Sequence, residues 1–223
     1  MKIIIQCARS KFKEAVKLSS DNGQEVVFVA DPEKFCEDNH KFAYCHPDDQ
    51  ISTKRKSYRE FLVEYNNSSE NPLKLYRAGD LYQPNIYKEL TTNYGYKNVY
   101  ILSAGWGLLR SDFRIPYYNI TFSSAGEPGI KRLKSHKFKD FNHLKENIAE
   151  SDEFFFFGGI SYLPLLYKLT KDLPGYKHIN YASKNVQKIN GFEYIYHKPY
   201  TNWHYQCARD FLNMKTHKTL TKN

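Results

Sequence analysis

The chain has no hydrophobic run able to cross a membrane: its longest, IIIQCA, VVFVA and FFFFGG, fall far short of the ~20 residues a spanning helix needs. No basic-then-apolar leader opens it, so a soluble, cytoplasmic protein is expected. No Pro-, Gly- or Ser-rich stretch divides the 223 residues, and no internal repeat is visible. One domain over residues 1–214, followed by a short basic tail at 215–223, is the expected organisation. Cysteine is scarce. Four thiols, Cys7, Cys36, Cys45 and Cys207, are too few and too scattered for a secreted disulfide framework, which points to reduced thiols.

Cations and aromatic rings are abundant. The net charge of +9 comes from 33 Lys and Arg against 24 Asp and Glu, and there are 19 Tyr and 15 Phe. Positive charge attracts phosphate backbones and flat rings stack on bases, so a nucleic acid is the expected partner. A monomer is expected, with no membrane partner and no cofactor.

Continuous apolar or β-branched and aromatic runs at 2–7, 25–30, 98–103, 153–157, 178–182 and 193–196 predict short strands covered on both faces. Helical patterns fall between most of them, at 57–65, 83–94, 138–150 and 161–170, with 202–214 closing the domain. Alternating strands and helices predict an α/β fold with a mostly parallel central sheet flanked by helices. In such a fold a ligand site lies beyond the carboxyl ends of the strands. Those ends carry Arg9 and Lys11 after the first strand, the segment SAGWG at 103–107, Gly158, Gly159 and Tyr162, then Lys184 and His197.

The richest stretch is SAGWGLLRSDFRIPYYN, residues 103–119. Gly107 permits a positive φ, and Trp106 beside it is expected to project over a pocket. Asp112, bracketed by Arg110 and Arg114, should stay ionised and suits electrostatic stabilisation or activation of a water. Tyr117 and Tyr118 offer an aromatic wall and Asn119 an amide, a set suited to holding a flat base and reading its edge. Asp112 and Asn119 are therefore the candidate catalytic residues.

The pattern Ser-x-x-Trp-Gly-Leu-Leu-Arg, then Asp and Ile-Pro-Tyr, resembles a segment of the YaaA peroxide-stress proteins and of small α/β proteins allied to the uracil-DNA-glycosylase-like superfamily. Within that group the chain looks most like the bacteriophage-defence DNA glycosylases that excise alpha-glucosyl-hydroxymethylcytosine. The likeness spans residues 99–119, with looser support from FFFFGG, Tyr162 and NWHYQCA. It implies a glycosylase-like fold, DNA binding, and attack of water on a glycosidic carbon to leave an abasic site. Ser103, Trp106, Gly107, Arg110 and Asp112 are the matched positions. The chain is one residue shorter than the YaaA pattern between Arg110 and Pro116, and it lacks the GQDPYH and HPSPLS signatures of classical uracil glycosylases.

On this reading Ser103, Trp106, Gly107, Tyr117, Tyr118, Gly158, Gly159, Tyr162, Lys184 and His197 bind the flipped nucleotide. Arg9, Lys11, Arg110, Arg114 and the basic run Lys131, Arg132, Lys134 and Lys137 contact the backbone. No lysine stands out as a Schiff-base nucleophile, so monofunctional hydrolysis is expected. A non-enzymatic DNA-binding stress protein and an enzyme of free nucleosides or nucleotides are the alternatives. Cys36, His40, Cys45 and His46 lie within eleven residues, but their spacing matches no finger or ribbon pattern, and no metal is assigned.

Overall fold

The computed structural model describes residues 1–220 except 13, 16, 36–40, 52 and 54, and the backbone alone at 215–220. The elements, in chain order, are β1 (Lys2–Gln6), β2 (Glu25–Phe28), β3 (Phe42–Cys45), β4 (Gln50–Ile51), β5 (Lys56–Ser57), α1 (Tyr58–Asn67), β6 (Tyr76–Arg77), α2 (Ile86–Tyr94) and β7 (Val99–Ser103). They continue with β8 (Gly107–Arg110), β9 (Arg114–Ile115), β10 (Phe141–Asn142), β11 (Glu153–Phe157), α3 (Leu163–Thr170), β12 (Tyr176–Tyr181), β13 (Glu193–Tyr196) and α4 (Trp203–Leu220).

Seven strands form one sheet in the order β10-β8-β7-β1-β11-β12-β13. The five from β7 to β13 are parallel, and β8 turns back antiparallel to β7 with β10 alongside it. The central strands are apolar because both of their faces are covered: Ile3, Ile4, Ile5, Val99, Tyr100, Ile101, Leu102, Phe154 and Phe156 are all fully buried. Each such aliphatic or phenylalanine side chain contributes about 1.5–3 kcal/mol of transfer free energy.

The helices begin where local chemistry starts them. Ser57 caps α1 reciprocally with Glu60, each side chain taking the other's backbone N–H. Pro164 sits in the first turn of α3, where a missing N–H costs nothing. The connection from β1 through α2 to β7 runs toward one sheet edge, and that from β11 through α3 to β12 toward the other. Right-handed crossovers in opposite directions put α2 and α3 on opposite faces. α4 packs with α2 and covers β11 and β12. The chain therefore changes direction between β1 and β11, and the crevice beyond their carboxyl ends is the topological switch point.

Three expectations are corrected. The strand predicted at 25–30 forms, but it pairs with β3 and stays outside the main sheet. The helix predicted over 138–150 is absent: 141–142 pair with β8, and turns follow. Phe138, Phe141 and Leu144 do have helical spacing, yet Phe141 is drawn to the Trp106 ring and Phe138 to Arg132, so tertiary packing overrides the pattern. The basic tail predicted from Lys215 continues α4 to Leu220. Among the described residues no helix is long and apolar enough to cross a membrane.

Candidate functional site

The switch point is filled by polar groups from segments far apart in sequence. Cys7, just after β1, meets the hydroxyl of Tyr162, just after β11, with Sγ and oxygen 3.2 Å apart. Gln6 bridges the same gap: its Oε1 accepts the Gly159 N–H at 2.6 Å, its carbonyl accepts the Tyr87 hydroxyl at 2.7 Å, and its amide nitrogen lies 3.1 Å from His204 Nε2. Burial lowers His204 to about 4, so the ring is neutral at pH 7.

Beside this bridge Ser103 Oγ donates to the Tyr118 hydroxyl at 2.9 Å, and that hydroxyl lies 2.8 Å from the Tyr82 hydroxyl. Burial holds the Tyr82, Tyr87, Tyr118 and Tyr162 phenols well above the ordinary tyrosine value, so all four stay protonated.

Lys11 closes the cluster. Its Nζ sits 4.2 Å from the Tyr118 ring centre and 5.8 Å from those of Tyr82 and Tyr117. The residue is only 7% exposed, and among the described residues no carboxylate forms an ion pair with it; its one hydrogen bond is a long 3.5 Å contact to the Arg9 carbonyl. Ring faces are favourable company for an ammonium. Burial nevertheless dominates and, with Arg9 acting in the same direction and Cys7 opposing it, lowers Lys11 from 10.5 to about 8.

The Trp106 loop is fixed from outside by two buried arginines. Arg59, on α1, donates to the carbonyls of Gly105 at 2.8 Å and Trp106 at 3.0 Å and pairs with Asp48. Arg132 donates to the Ala104 carbonyl at 2.9 Å and forks onto Asp140 at 2.8 and 2.9 Å. Ser103 Oγ takes the N–H groups of Gly105 and Trp106. Burial alone would raise the Asp140 carboxyl, but Arg132 and Lys168 outweigh it and hold it below the ordinary carboxylate value.

Trp106 itself is fully buried, packed against Phe28, Tyr118 and Phe141 with Arg59 over its ring. It fills core, where the sequence predicts a ring over a pocket. Gly107 has a φ of +93°, and a Cβ there would lie 2.5 Å from the Phe141 carbonyl oxygen, so it is required by the β8–β10 pairing. Arg132, predicted to grip phosphate, is occupied in the same internal clamp.

Asp112 is elsewhere. Because β8 runs back along β7, Arg110 faces Tyr100 and Asp112 emerges at the amino edge of the sheet, the end opposite Ser103. It accepts from Arg110 Nε at 2.6 Å. Arg114 donates to the carbonyls of Ser68, Ser69 and Glu70, closing the turn after α1. These groups, with Arg77 and His143, line a groove of about 660 Å³ along the β8–β10 side. Burial and nearby Arg110 lower His143 to about 4, and its Nδ1 accepts the Arg110 N–H at 3.2 Å.

Of the other predicted residues, Tyr117 and Asn119 are half-buried, and the Asn119 N–H donates to the Phe28 carbonyl at 2.8 Å. Gly158 is buried under the Phe156 ring. His197 lies 2.7 Å from Asn180 Oδ1 and 3.3 Å from Cys207 Sγ, inside the α4 packing. Arg9, Lys134, Lys137 and Lys184 are exposed, and Lys131 is half-buried, bridged to Thr121. The Lys131–Lys137 region borders a cavity of about 380 Å³ between Phe122, Leu133, His136 and the start of α3. Phe122 meets Tyr162 edge-on at 5.0 Å, which joins this cavity to the switch-point cluster.

Cys36 and His40 lie outside the described residues; among those described, no group of three or more His, Cys, Asp and Glu is placed to hold a metal. Sequence reasoning missed Arg59, Asp140, Tyr82 and Tyr87. Arg59 had a signal, since it stands three residues before Leu62 on the apolar stripe of α1. In comparisons with protein-family models, curated proteins and solved structures, nothing matches the chain.

Proposed function

We propose that the protein is a DNA glycosylase that releases a modified pyrimidine, alpha-glucosyl-hydroxymethylcytosine, in defence against bacteriophage, on a uracil-DNA-glycosylase-like scaffold. The observation that carries this reading is the buried Lys11, without a carboxylate partner among the described residues, in a cage of tyrosines at the switch point. Base excision needs little covalent help from the protein. It needs a pocket for the flipped nucleotide, a proton for the departing base and a water for the sugar carbon.

Lys11 has the proton affinity of a group that gives up a proton near neutral pH, which suits an acid for the leaving pyrimidine. In this role it replaces Asp112 as the catalytic residue, because Asp112 stands at the opposite edge and is engaged by Arg110. Half-buried Tyr117 supplies a ring face for the base. The exposed Lys134 and Lys137, beside the cavity at the start of α3, track the phosphates.

A DNA-binding protein without catalysis is the second reading. It is favoured by one observation: Asp48 and Asp140, the carboxylates that flank the Trp106 loop, are both neutralised by buried arginines. Incubating the protein with unmodified, uracil-containing and glucosyl-hydroxymethylcytosine duplexes separates the two. Release of glucosylated base with alkali-labile sites is the expected result, and salt-sensitive binding without release from any duplex defeats the glycosylase reading.

A further inference from the structure

Base excision leaves a deoxyribose whose C1′ is in equilibrium between a ring hemiacetal and an open aldehyde. An amine held at that carbon, if uncharged, condenses with the aldehyde. The requirements are a lysine sheltered from water, free of a carboxylate that would hold its proton, and placed at the site of base release. Among the described lysines Lys11 meets the first two, since its residue is almost wholly buried, its Nζ rests against the Tyr118 ring and no described carboxylate pairs with it, and it stands at the switch point where the glycosylase reading puts base release. Of the other cations described at the carboxyl edge, Arg9 and Lys184 are exposed, and Arg59 and Arg132 are locked on aspartates.

Resting on the glycosylase reading, we infer that Lys11 Nζ forms a Schiff base with the abasic deoxyribose and gives the protein a second activity, abasic-site lyase. Donating a proton to the departing base leaves the Lys11 amine neutral. Its lone pair attacks the C1′ aldehyde, the carbonyl oxygen leaves as water with the two amine protons, and a proton taken from solvent gives the protonated imine that joins Nζ to C1′. Loss of a C2′ proton to water makes the C2′–C3′ double bond, and the C3′–O bond breaks with its electron pair going to the 3′ phosphate. Hydrolysis of the imine returns the lysine. A proton affinity lowered to about 8 keeps a useful fraction of the amine uncharged near neutral pH. The sequence-based expectation of monofunctional hydrolysis would then give way to excision followed by strand cleavage.

The test starts from a duplex oligonucleotide that already contains an aldehydic abasic site, so it does not depend on base release. The full-length protein is mixed with it, sodium borohydride is added to reduce any imine to a stable amine, and the adduct is mapped by mass spectrometry of peptides. The expected result is a covalent adduct on Lys11, reduced at least tenfold in Lys11→Met and in Lys11→Arg, the latter keeping the charge over the tyrosines. Absence of an adduct overturns the inference, as does an adduct confined to other lysines or one undiminished in both variants. Mapping on the wild-type protein decides the matter even if a variant fails to fold. Release of base from glucosylated duplex is scored separately: release without a Lys11 adduct overturns the lyase and leaves the glycosylase, and the adduct without release does the reverse.

Discussion

The two ends of the sheet are made from the same materials, arginine, aspartate and aromatic rings, and put them to different use. At the carboxyl end Arg59 and Arg132 are buried, each neutralised by an aspartate and spent on loop carbonyls, while Lys11 is a buried cation with no carboxylate partner among the described residues. At the amino end Arg110 and Asp112 pair in an open groove, half in water. An ion pair half in water stabilises little, because solvent screens it and holding the side chains costs entropy. A buried pair is costly to form and more costly to break. The carboxyl end is therefore a frame of buried, paired cations around the Lys11 amine.

The comparison breaks most visibly where a buried clamp is cut. Arg132→Ala leaves the buried Asp140 carboxylate with the exposed Lys168 ammonium as its remaining cation and should cost about 3 kcal/mol, read as a fall in the urea midpoint at unchanged slope. A loss below about 1 kcal/mol would mean that the clamp is no more important than the Arg110–Asp112 pair.

Acid probes both ends at once, through one histidine at each. His143 and His204 titrate near 4 in the folded protein and near 6.5 when unfolded, so the unfolded chain takes up protons first as pH falls. Stability should be level above pH 6.5 and decline toward pH 4, by up to about 3 kcal/mol for each ring. Urea midpoints measured across that range check it. His143→Phe and His204→Gln should each remove only that residue's share of the decline.

Lys11 acts with the same sign in a higher pH window. Its folded value of about 8 lies below the unfolded value, so between the two the unfolded chain holds a proton that the folded chain lacks, and stability rises with pH. Below pH 8 the penalty is present in full. Lys11→Met should therefore raise stability at pH 7 by at most about 3 kcal/mol, less whatever the ring contacts return, with the gain fading toward pH 10.5. A thermal-melt series at several pH values reads this directly, and a destabilised Lys11→Met would show that the amine is structural. The smallest effect belongs to Asp112→Asn, under about 1 kcal/mol in the same melts, because the pair it breaks is open to solvent.

Much of the fold was legible because buried parallel strands write themselves as unbroken apolar runs; 2–7, 98–103, 153–157 and 193–196 all became strands of the central sheet. What the pattern could not give was direction. The segment GLLR at 107–110 reads as a continuation outward from β7, but it folds back along that strand and carries Asp112 to the far edge. Pairing partners are set by tertiary contacts, and the same limit hid the isolation of β2 and the loss of the 138–150 helix.

The site was legible in its location and less so in its members. The rule that ligands gather beyond carboxyl ends singled out Lys11, Ser103, Gly159 and Tyr162, which the fold does bring near one another, while Tyr118 came from the 103–119 stretch. It could not distinguish Lys11, which has no carboxylate partner among the described residues, from Arg132, which has one. That difference lies in Asp140, eight residues further on and visible only once the loop has closed.

The central claim is that reactivity belongs to the carboxyl edge and not to the groove at the amino edge. Base release from glucosyl-hydroxymethylcytosine duplex, measured side by side for wild type, Lys11→Met and Asp112→Asn, tests it most directly. The account predicts a loss of about 100-fold or more in Lys11→Met, the scale of a positioned acid, with Asp112→Asn within about twofold of wild type. Full activity in Lys11→Met together with collapse in Asp112→Asn would contradict it.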